Sequence, residues 1–442
     1  MTSSLNILEL FAGVGGFRIG FENSNPELFK TKWSNQWEPS TKSQDAFEVY
    51  NLHFPDSENI NENIEKIPDE TFKKMDADII VGGFPCQDYS VARSRSGELG
   101  MQGKKGVLFW DIIRATEIIR PQYLVLENVD RLLKSPTNQR GRDFAVMLSA
   151  FNKLNYSVEW RVINAAEYGR AQRRRRVFFF IYRNDTPFAL KTDKKYEPQN
   201  AKELYSDTLY DNYMFEDGLF ASEFPIMKVK YKQRFNSSTL SEDIVEVSDN
   251  FSGQFWNTGV MRHGRYFTLD SVPTNSEKPI TLGEILQSED EVPEEFYITD
   301  EKRLAKFKYL RGSKKIERVS ANGHTYTYSE GGMSETDDLN LPARTMLTSE
   351  GSTNRSTHLI KVNERYRMLT PIEAERLQDF PDDWTEYKLS KNGKKVKVTT
   401  SRRRFFMGNA LVTEVVRRIA DRIEVITGDT AKEIVEKELS NK

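Results

Sequence analysis

An α/β fold followed by a second, irregular domain is the architecture that this sequence predicts. Apolar strand-like runs alternate with helical patterns through residues 1–183, an order that is typical of a parallel sheet with crossover helices. From about residue 184 to about residue 363, the pattern changes to short irregular runs with no sustained period. A chain of 442 residues is also long enough for two or three domains.

The elements follow from short apolar runs and from helical periodicity. The predicted strands are NILEL (6–10), DIIVGG (78–83), YLVLEN (123–128), VEWRVI (158–163) and RVFFFIY (176–182), and the helices between them are VLFWDIIRATEIIR and RDFAVMLSAFNKL. TPIEAERLQ predicts a short helix with Thr370 as N-cap and Pro371 in its first turn, and NALVTEVVRRIADRIEVI predicts an amphipathic helix. We expect a main domain at 1–183, completed by 400–442, and a second domain at 184–399 that includes the segment 365–384.

The composition excludes several classes of protein. No stretch approaches the ~18 apolar residues of a membrane span, and the N-terminal segment lacks the features of a secretory signal, so we expect a soluble, cytoplasmic protein. One cysteine and four scattered histidines exclude internal disulfides and disfavour a metal site. The net charge of −2 does not indicate a nucleic-acid partner. The basic runs RRRR (173–176) and KNGKKVKVTTSRRR (391–404) contain no acid, but such runs are usually solvated faces.

A glycine-rich turn follows the first predicted strand, in LELFAGVGGFRIGFE. Gly13, Gly15 and Gly16 allow backbone N–H groups to approach a bound nucleotide or carboxylate at the start of a helix. Arg18 occupies the position of the third glycine of the dinucleotide-binding pattern, which disfavours a nicotinamide enzyme. The turn is therefore either structural or a cofactor loop of a different class.

The single cysteine lies in GGFPCQDYS, just past the predicted strand DIIVGG, and Glu127 in ENV ends the next strand. Equivalent ends of adjacent parallel strands lie about 5 Å apart, so the thiol of Cys86 and the carboxyl of Glu127 can face one small substrate. A lone cysteine is more often a buried small hydrophobe, and a strand-end glutamate is often a cap or a surface charge. Together the two residues indicate a nucleophile and an acid.

Alternating polar side chains lead into the last strand of the first region, in QRRRRVFFF. Gln172, Arg174 and Arg176 emerge on one face, whereas Arg173 and Arg175 point the other way. This arrangement is either a solvent-facing edge or a set of donors for a planar polar ligand such as a base or its phosphate.

These stretches, taken in order, closely resemble the DNA (cytosine-5) methyltransferase family of bacterial restriction-modification systems. The matching motifs are LFAGVGG, GGFPCQDYS, ENV, QRRRRV, RMLTPIEAERLQDFP and MGNALV, and they cover both ends of the chain but not its middle. The resemblance implies the Rossmann-like sheet of S-adenosyl-L-methionine-dependent methyltransferases, with 184–399 as the target-recognition domain. Within that domain, ARTMLTSEGSTNRSTHLI and GVMRHGRYFTL are candidate base-contacting stretches.

The resemblance also implies roles for individual residues. Cys86 matches the nucleophile that adds to carbon 6 of a flipped cytosine, Glu127 matches the residue that holds the ring nitrogen and amino group, and Arg176 matches the residue that holds the carbonyl oxygen. Arg174 belongs to the same implied catalytic set. The segment SVARSRSGELGMQGKKG resembles the mobile loop that closes over the base, and the implied DNA-contacting residues are Gln87, Ser90, Arg93, Arg95 and Gln172.

The cofactor implied is S-adenosyl-L-methionine, with no metal. The implied pocket residues are Phe11, Gly13, Gly15, Gly16, Gln36, Trp37, Glu38, Asn63, Ile64, Pro85, Leu108, Asn409 and Leu411. The chain departs from the family pattern at three positions. Gln36 stands where a glutamate usually holds the ribose hydroxyls, Asn63 replaces an aspartate, and Asp379 replaces a glycine.

The function expected is methylation of carbon 5 of a cytosine in double-stranded DNA by a monomer, which protects host DNA from a cognate restriction endonuclease that acts separately. One alternative is a tRNA cytosine-5 methyltransferase, which the long middle segment disfavours. The other is an inactive DNA-binding regulatory module, which the intact Cys86, Glu127 and Arg176 disfavour.

Overall fold

The chain divides into two units in a computed structural model that describes residues 4–39, 41–85, 108–196, 207–229, 234–320 and 322–440. Unit 1 comprises Met1–Asn164, Arg175–Ser276 and Thr413–Lys442. Unit 2 comprises Ala165–Arg174 and Glu277–Val412. No helix of the described residues combines the length and the apolar character needed to cross a membrane.

Unit 1 is built on a ten-stranded sheet with the order β3-β2-β1-β4-β5-β7-β6-β10-β11-β9. Its strands are β1 Leu5–Leu10, β2 Phe29–Asn35, β3 Glu58–Ile60, β4 Ile79–Gly83, β5 Tyr123–Val129, β6 Tyr156–Asn164, β7 Arg175–Arg183, β9 Phe235–Thr239, β10 Thr258–Arg262 and β11 Arg265–Leu269, and the short strands β8 Ile226–Lys228 and β12 Ser271–Pro273 form a separate pair. All five predicted strands are present. β2 and β3 were not predicted.

The helices of unit 1 follow the same order along the chain. They are α1 Gly16–Ser24, α2 Asp45–His53, α3 Asp69–Phe72, α4 Leu108–Ile119, α5 Arg142–Lys153, α6 Pro187–Lys195, α7 Asp207–Asn212, α8 Leu219–Glu223, α9 Ile244–Asn250 and the C-terminal α13 Thr413–Ser440. The predicted amphipathic C-terminal helix is confirmed, because its apolar stripe from Val415 to Ile426 is buried. Gly20 permits close packing of α1 on α13, since a Cβ there would lie 2.9 Å from the carbonyl oxygen of Thr413.

The sheet is mixed, whereas the sequence predicted a parallel one. Strands β3, β2, β1, β4 and β5 are parallel, but β7 is antiparallel to both β5 and β6, and β10, β11 and β9 continue the antiparallel half. The short connection between β6 and β7 allows an antiparallel return, whereas a parallel pair needs a crossover of a dozen or more residues.

The segment 184–276 lies in unit 1, although the sequence placed it in the second domain. Two buried charged residues of β6 explain this difference. Arg161 donates to the carbonyl oxygens of Met214 and Phe224, and the Glu159 carboxylate accepts from the backbone N–H of Leu219. Because removing one partner would leave a buried charge unpaired, these bonds fasten residues 207–224 to the sheet.

Unit 2 is the smaller unit and contains short hairpins and helices. Its strands are β13 Lys314–Val319, β14 Thr325–Glu330, β15 Ile360–Val362, β16 Arg365–Arg367, β17 Tyr387–Leu389 and β18 Lys395–Lys397, and its helices are α10 Glu301–Arg311, α11 Pro371–Leu377 and α12 Thr400–Asn409. The predicted start of α11 is confirmed. The Thr370 side chain caps the helix, the Glu373 side chain completes a capping box, and Pro371 occupies the first turn. Residues 400–412 lie in unit 2, so only 413–442 complete the main sheet domain.

Candidate active site

The candidate active site begins where β4 and β5 end. The two strands are parallel, and Glu127 of β5 lies opposite Gly83 of β4. A Cβ at position 83 would lie 3.1 Å from Oε2 of Glu127, so the carboxyl fits closely over a residue without a side chain. Phe84 and Pro85 continue from this point toward Cys86. Cys86 itself lies outside the described residues, as do Gln87, Ser90, Arg93 and Arg95.

An ion pair fixes the carboxyl of Glu127. Nε of Arg176 lies 2.8 Å from Oε1 of Glu127, with side-chain exposures of 17% and 13%. In the antiparallel pairing of β5 with β7, Arg176 lies opposite Val129. Arg176 is therefore two residues before the position of β7 that lies opposite Glu127. The two side chains therefore project from the same face of the sheet as diagonal neighbours.

Asn128 holds the strand ends together, and the sequence did not single it out. Its Nδ2 donates to the carbonyl oxygen of Phe84 at 2.8 Å, and its Oδ1 accepts from the backbone N–H of Val129 at 2.8 Å. The side chain is buried. The Asn128 amide therefore links the end of β5 to the segment that leads to Cys86. The sequence signal for this role is an amide residue directly after the strand-end glutamate.

The glycine-rich turn after β1 adopts conformations that explain its composition. Phe11 has φ +54°, Gly13 +56° and Gly15 +95°, all in the left-handed region. A Cβ on Gly15 would lie 2.6 Å from the Phe54 ring, whereas a Cβ on Gly13 would meet no atom within 4 Å. Phe11 is a strained position, because a bulky aromatic residue seldom adopts this conformation. Gly16 is buried and begins α1.

Side-chain amides join this turn to the ends of β2 and β3. The Gly13 N–H donates to Oε1 of Gln36 at 2.8 Å, and Nδ2 of Asn61 donates to the carbonyl oxygen of Gln36 at 2.7 Å. Nδ2 of Asn35 donates to the carbonyl oxygen of Glu62 at 2.8 Å. The ends of β1, β2 and β3 are therefore held together by hydrogen bonds. The sequence did not predict that Asn35 and Asn61 take part in these bonds.

The remaining predicted pocket residues of unit 1 follow β2, β3 and β4 or begin α4. Trp37 is 37% exposed, an unusual exposure for tryptophan. Oε2 of Glu38 accepts from the backbone N–H of Ala46 at 3.2 Å, near the start of α2. Asn63 is the N-cap of a short 3₁₀ helix, Ile64–Lys66, in which Ile64 is buried. Pro85 is exposed and Leu108, the first residue of α4, is half-buried.

Comparison with known proteins decides the family. Residues 5–425 match the family model of C-5 cytosine-specific DNA methylases. The chain belongs to this family. It is 53% identical to the Type II methyltransferase M.Sau3AI of Staphylococcus aureus over 98% of each chain, and 32% identical to M.HhaI of Haemophilus parahaemolyticus over 41% of this chain and 50% of that relative.

Solved structures agree on the fold. The chain is similar to the Spodoptera frugiperda DNMT2 structure, with a TM-score of 0.53, 15% identity and coverage of 96% of this chain and 99% of that one. It is also similar to the S. pombe Dnmt2 methyltransferase, with a TM-score of 0.56, 12% identity and coverage of 96% and 98%. The methyltransferase fold, the family and the class of enzyme predicted from the sequence are confirmed.

Two residues expected among the functional side chains of this methylase have structural contacts in unit 2. Gln172 is fully buried; its Oε1 accepts from the backbone N–H of Met346, and its Nε2 donates to the carbonyl oxygen of Leu377. Arg174 is also buried and donates to the carbonyl oxygens of Met346 and Gly408, both at 3.0 Å. The predicted alternation is confirmed, because Arg173 and Arg175 are exposed. The expectation that Gln172 contacts DNA is corrected, since its burial leaves no atom for that contact.

The departure of Asp379 from the family glycine has a structural explanation. Asp379 has φ +57°, a conformation that favours glycine. Its two carboxylate oxygens accept from Nε and Nη2 of Arg170 at 2.8 and 2.6 Å. This bidentate ion pair offsets the strain of a side chain at this turn. Of the predicted pocket residues in unit 2, Asn409 is exposed at the end of α12 and Leu411 is buried.

Glu9, a buried carboxyl of β1, lies two residues before Phe11. It accepts from the hydroxyl of Tyr50 at 2.9 Å, but burial outweighs this bond and raises the pKa of Glu9 to about 7. The folded state therefore binds more protons than the unfolded state between the ordinary pKa of 4.5 and about 7. Stability decreases as pH rises through this window.

We expect Glu9→Gln, which does not titrate, to remove this pH dependence. Wild type should lose about 3 kcal/mol of unfolding free energy relative to the variant between pH 4.5 and 7. Thermal and urea unfolding of both forms across this range measure the difference, with the exposed Glu58→Gln as the control. Parallel stability curves for wild type and Glu9→Gln would contradict the assignment.

Proposed function

We propose that the chain methylates carbon 5 of a cytosine flipped out of double-stranded DNA, through a covalent adduct with Cys86 and with S-adenosyl-L-methionine as methyl donor. The observation that carries the proposal is the Glu127–Arg176 pair at the strand ends where the chain continues through Pro85 to Cys86. Cytosine carbon 6 is inaccessible within a stacked duplex, so the base must leave the helix.

The chemistry requires one nucleophile and two groups that bind the ring. Addition of the Cys86 thiolate to carbon 6 forms an S–C bond and moves an electron pair toward ring nitrogen 3, so that carbon 5 becomes nucleophilic. Glu127 donates a proton to nitrogen 3 as this electron pair arrives and accepts a hydrogen bond from the amino group, and Arg176 donates to the carbonyl oxygen, where negative charge develops. Carbon 5 would then take the methyl group of the bound donor as the methyl–sulfonium bond breaks. Loss of the carbon 5 proton and departure of the Cys86 thiolate would then restore the aromatic ring.

The hydrogen bonds of Arg176 are compatible with this role. Its Nε pairs with Glu127, and its Nη1 donates to the carbonyl oxygen of Arg175 at 2.8 Å. Among the described residues, no acceptor occupies Nη2, which can therefore donate to a cytosine carbonyl. We assign Arg174 a positioning role, because its terminal nitrogens donate to backbone carbonyls.

The loops after β1, β2 and β3 fit the proposed methyl donor, which supplies an activated methyl group when bound. Gly13 borders open space, Trp37 exposes an aromatic face for an adenine ring, and Gln36 presents a side-chain amide beside the glycine turn. The N-terminal end of α1 also favours a carboxylate.

We further propose that the protein acts as a monomer beside a separate restriction endonuclease in a bacterial cytoplasm. The support for the separate endonuclease is the similarity along the whole chain to a protein named as a Type II methyltransferase. The family model of C-5 cytosine-specific DNA methylases matches residues 5–425, which include the middle of the chain, and favours DNA over tRNA as the substrate.

The adduct is testable with duplex DNA that carries 5-fluorocytosine, because fluorine at carbon 5 blocks the elimination step. We expect wild type to form a denaturation-resistant complex with this DNA, and Cys86→Ser to form none. Arg176→Ala should reduce the rate of adduct formation by a factor of about 10² to 10³, the usual effect of removing one donor at a developing charge. Arg175→Ala, which changes an exposed neighbour on the opposite face, is the matched control.

Gel electrophoresis under denaturing conditions and bisulfite sequencing give the two readouts. Methylation by Cys86→Ser, or equal adduct rates for the Arg175 and Arg176 variants, would refute the proposed roles.

Gln36→Glu should bind S-adenosyl-L-methionine more tightly. A glutamate can keep the acceptor for the Gly13 N–H and add a charged oxygen for the ribose hydroxyls. The gain expected is about 1 kcal/mol, or about fivefold in Kd. Calorimetric titration of cofactor into each form measures it.

Glu38→Gln is the control for this experiment. The Glu38 carboxylate already accepts the Ala46 N–H, so its loss should weaken the start of α2 and leave cofactor affinity unchanged. Unchanged affinity for Gln36→Glu together with reduced affinity for Glu38→Gln would assign the ribose contact to Glu38 instead.

A further inference from the structure

We propose that the basic hairpin, defined as residues 387–397, is an arm that binds DNA phosphates independently of base sequence. It consists of β17, β18 and the turn between them. The proposal rests on the proposed function only in taking double-stranded DNA as the substrate. It assigns a role to a segment that contains none of the methylase motifs.

The charge of the hairpin is unlike that of the chain as a whole. The protein has a net charge of −2, but this segment contains five cations and no acid. The cations are Lys388, Lys391, Lys394, Lys395 and Lys397. Such a concentration is costly in a free hairpin because the ammonium groups repel each other, and the repulsion is relieved when a polyanion binds.

A well-defined turn presents the central lysines. The Gly393 N–H donates to the carbonyl oxygen of Ser390 at 2.8 Å, and the Lys394 N–H donates to the hydroxyl of Ser390 at 3.1 Å. Gly393 has φ +70°, and a Cβ there would meet no atom within 4 Å. Lys391 and Lys394 flank this turn and are exposed. The tip therefore has a fixed backbone and space around it.

An ion pair neutralises the lysine at the base of the hairpin, whereas the lysines near its tip have no acidic partner. Lys397 pairs with Glu386 at 3.1 Å, and the Val398 N–H, just beyond β18, donates to the carbonyl oxygen of Glu386 at 2.9 Å. Lys395 packs over the Tyr387 ring, 4.2 Å from its centroid. No acidic side chain of the described residues pairs with Lys391, Lys394 or Lys395. These three cations are available to a partner of opposite charge.

The chemistry of these cations favours phosphate over base edges. Lysine acts as a flexible point charge with no planar fork for the paired donors and acceptors of a base. A lysine that contacts a phosphate releases a counterion, so each contact adds about 0.9 to the slope of log affinity against log salt. The hairpin should therefore raise affinity for every duplex by a similar factor and make binding steeply salt-dependent.

The test compares wild type with Lys391→Ala/Lys394→Ala/Lys395→Ala. Fluorescence anisotropy measures binding to two duplexes of equal length, one that the enzyme methylates and one that it does not, over a series of salt concentrations. We expect the slope to fall by roughly 2 to 3 for the triple variant. At low salt, affinity should fall at least tenfold on both duplexes.

The matched control is Lys74→Ala/Lys302→Ala/Lys306→Ala, which removes the same charge from exposed positions elsewhere. It should keep the wild-type slope, and thermal unfolding should confirm that both variants are folded. A wild-type slope in the hairpin variant, an equal loss in the control, or a loss confined to the methylated duplex would overturn the proposal. Failure of wild type to methylate any duplex would instead refute the proposed function.

Discussion

The ion pair between Glu127 and Arg176 is the interaction on which the proposed chemistry depends. Its 2.8 Å contact joins β5 and β7, two strands at the centre of the ten-stranded sheet. Because β7 runs antiparallel to β5, its first residues lie beside the last residues of β5, and an arginine at the start of one strand meets a glutamate at the end of the other. A fully parallel sheet would have placed these residues at opposite edges.

The rest of the site is held by buried and half-buried polar contacts. Asn128 fixes the segment that follows β4, and Gln36 fixes the glycine turn after β1. Gly83 allows the Glu127 carboxyl to lie against the backbone of β4. Each contact connects neighbouring strand ends, so the loops that carry the proposed chemistry are held by a rigid sheet. This arrangement keeps reacting groups oriented at little entropic cost when substrate binds.

The sequence predicted five strands of the main sheet and the family, because apolar runs and short motifs are local signals. It missed β2, whose FKTKWSN pattern alternates lysines with other residues and does not read as an apolar run. It misplaced the boundary after residue 183, since Glu159 and Arg161 in β6 look like solvent-facing charges but are buried against residues 207–224. The alternation of Gln172, Arg174 and Arg176 was predicted, but their partners are far away in sequence. Only the structure shows that Gln172 and Arg174 bond to backbone groups of unit 2, whereas Arg176 pairs with Glu127.

Single-turnover methylation by Gly83→Ala tests most directly whether the placement of Glu127 governs the reaction. The new Cβ would lie 3.1 Å from Oε2 of Glu127, so the carboxyl must shift by a few tenths of an ångström, while Glu127, Arg176 and Cys86 keep their side chains. We expect a chemical rate reduced by about 10-fold, because the shift is smaller than the displacement near 1 Å that can cost about 10²-fold, with an unchanged unfolding temperature. Gly428→Ala, where a Cβ would meet no atom within 4 Å, is the control. A wild-type rate in folded Gly83→Ala would contradict the claim that the placement of Glu127 governs the reaction.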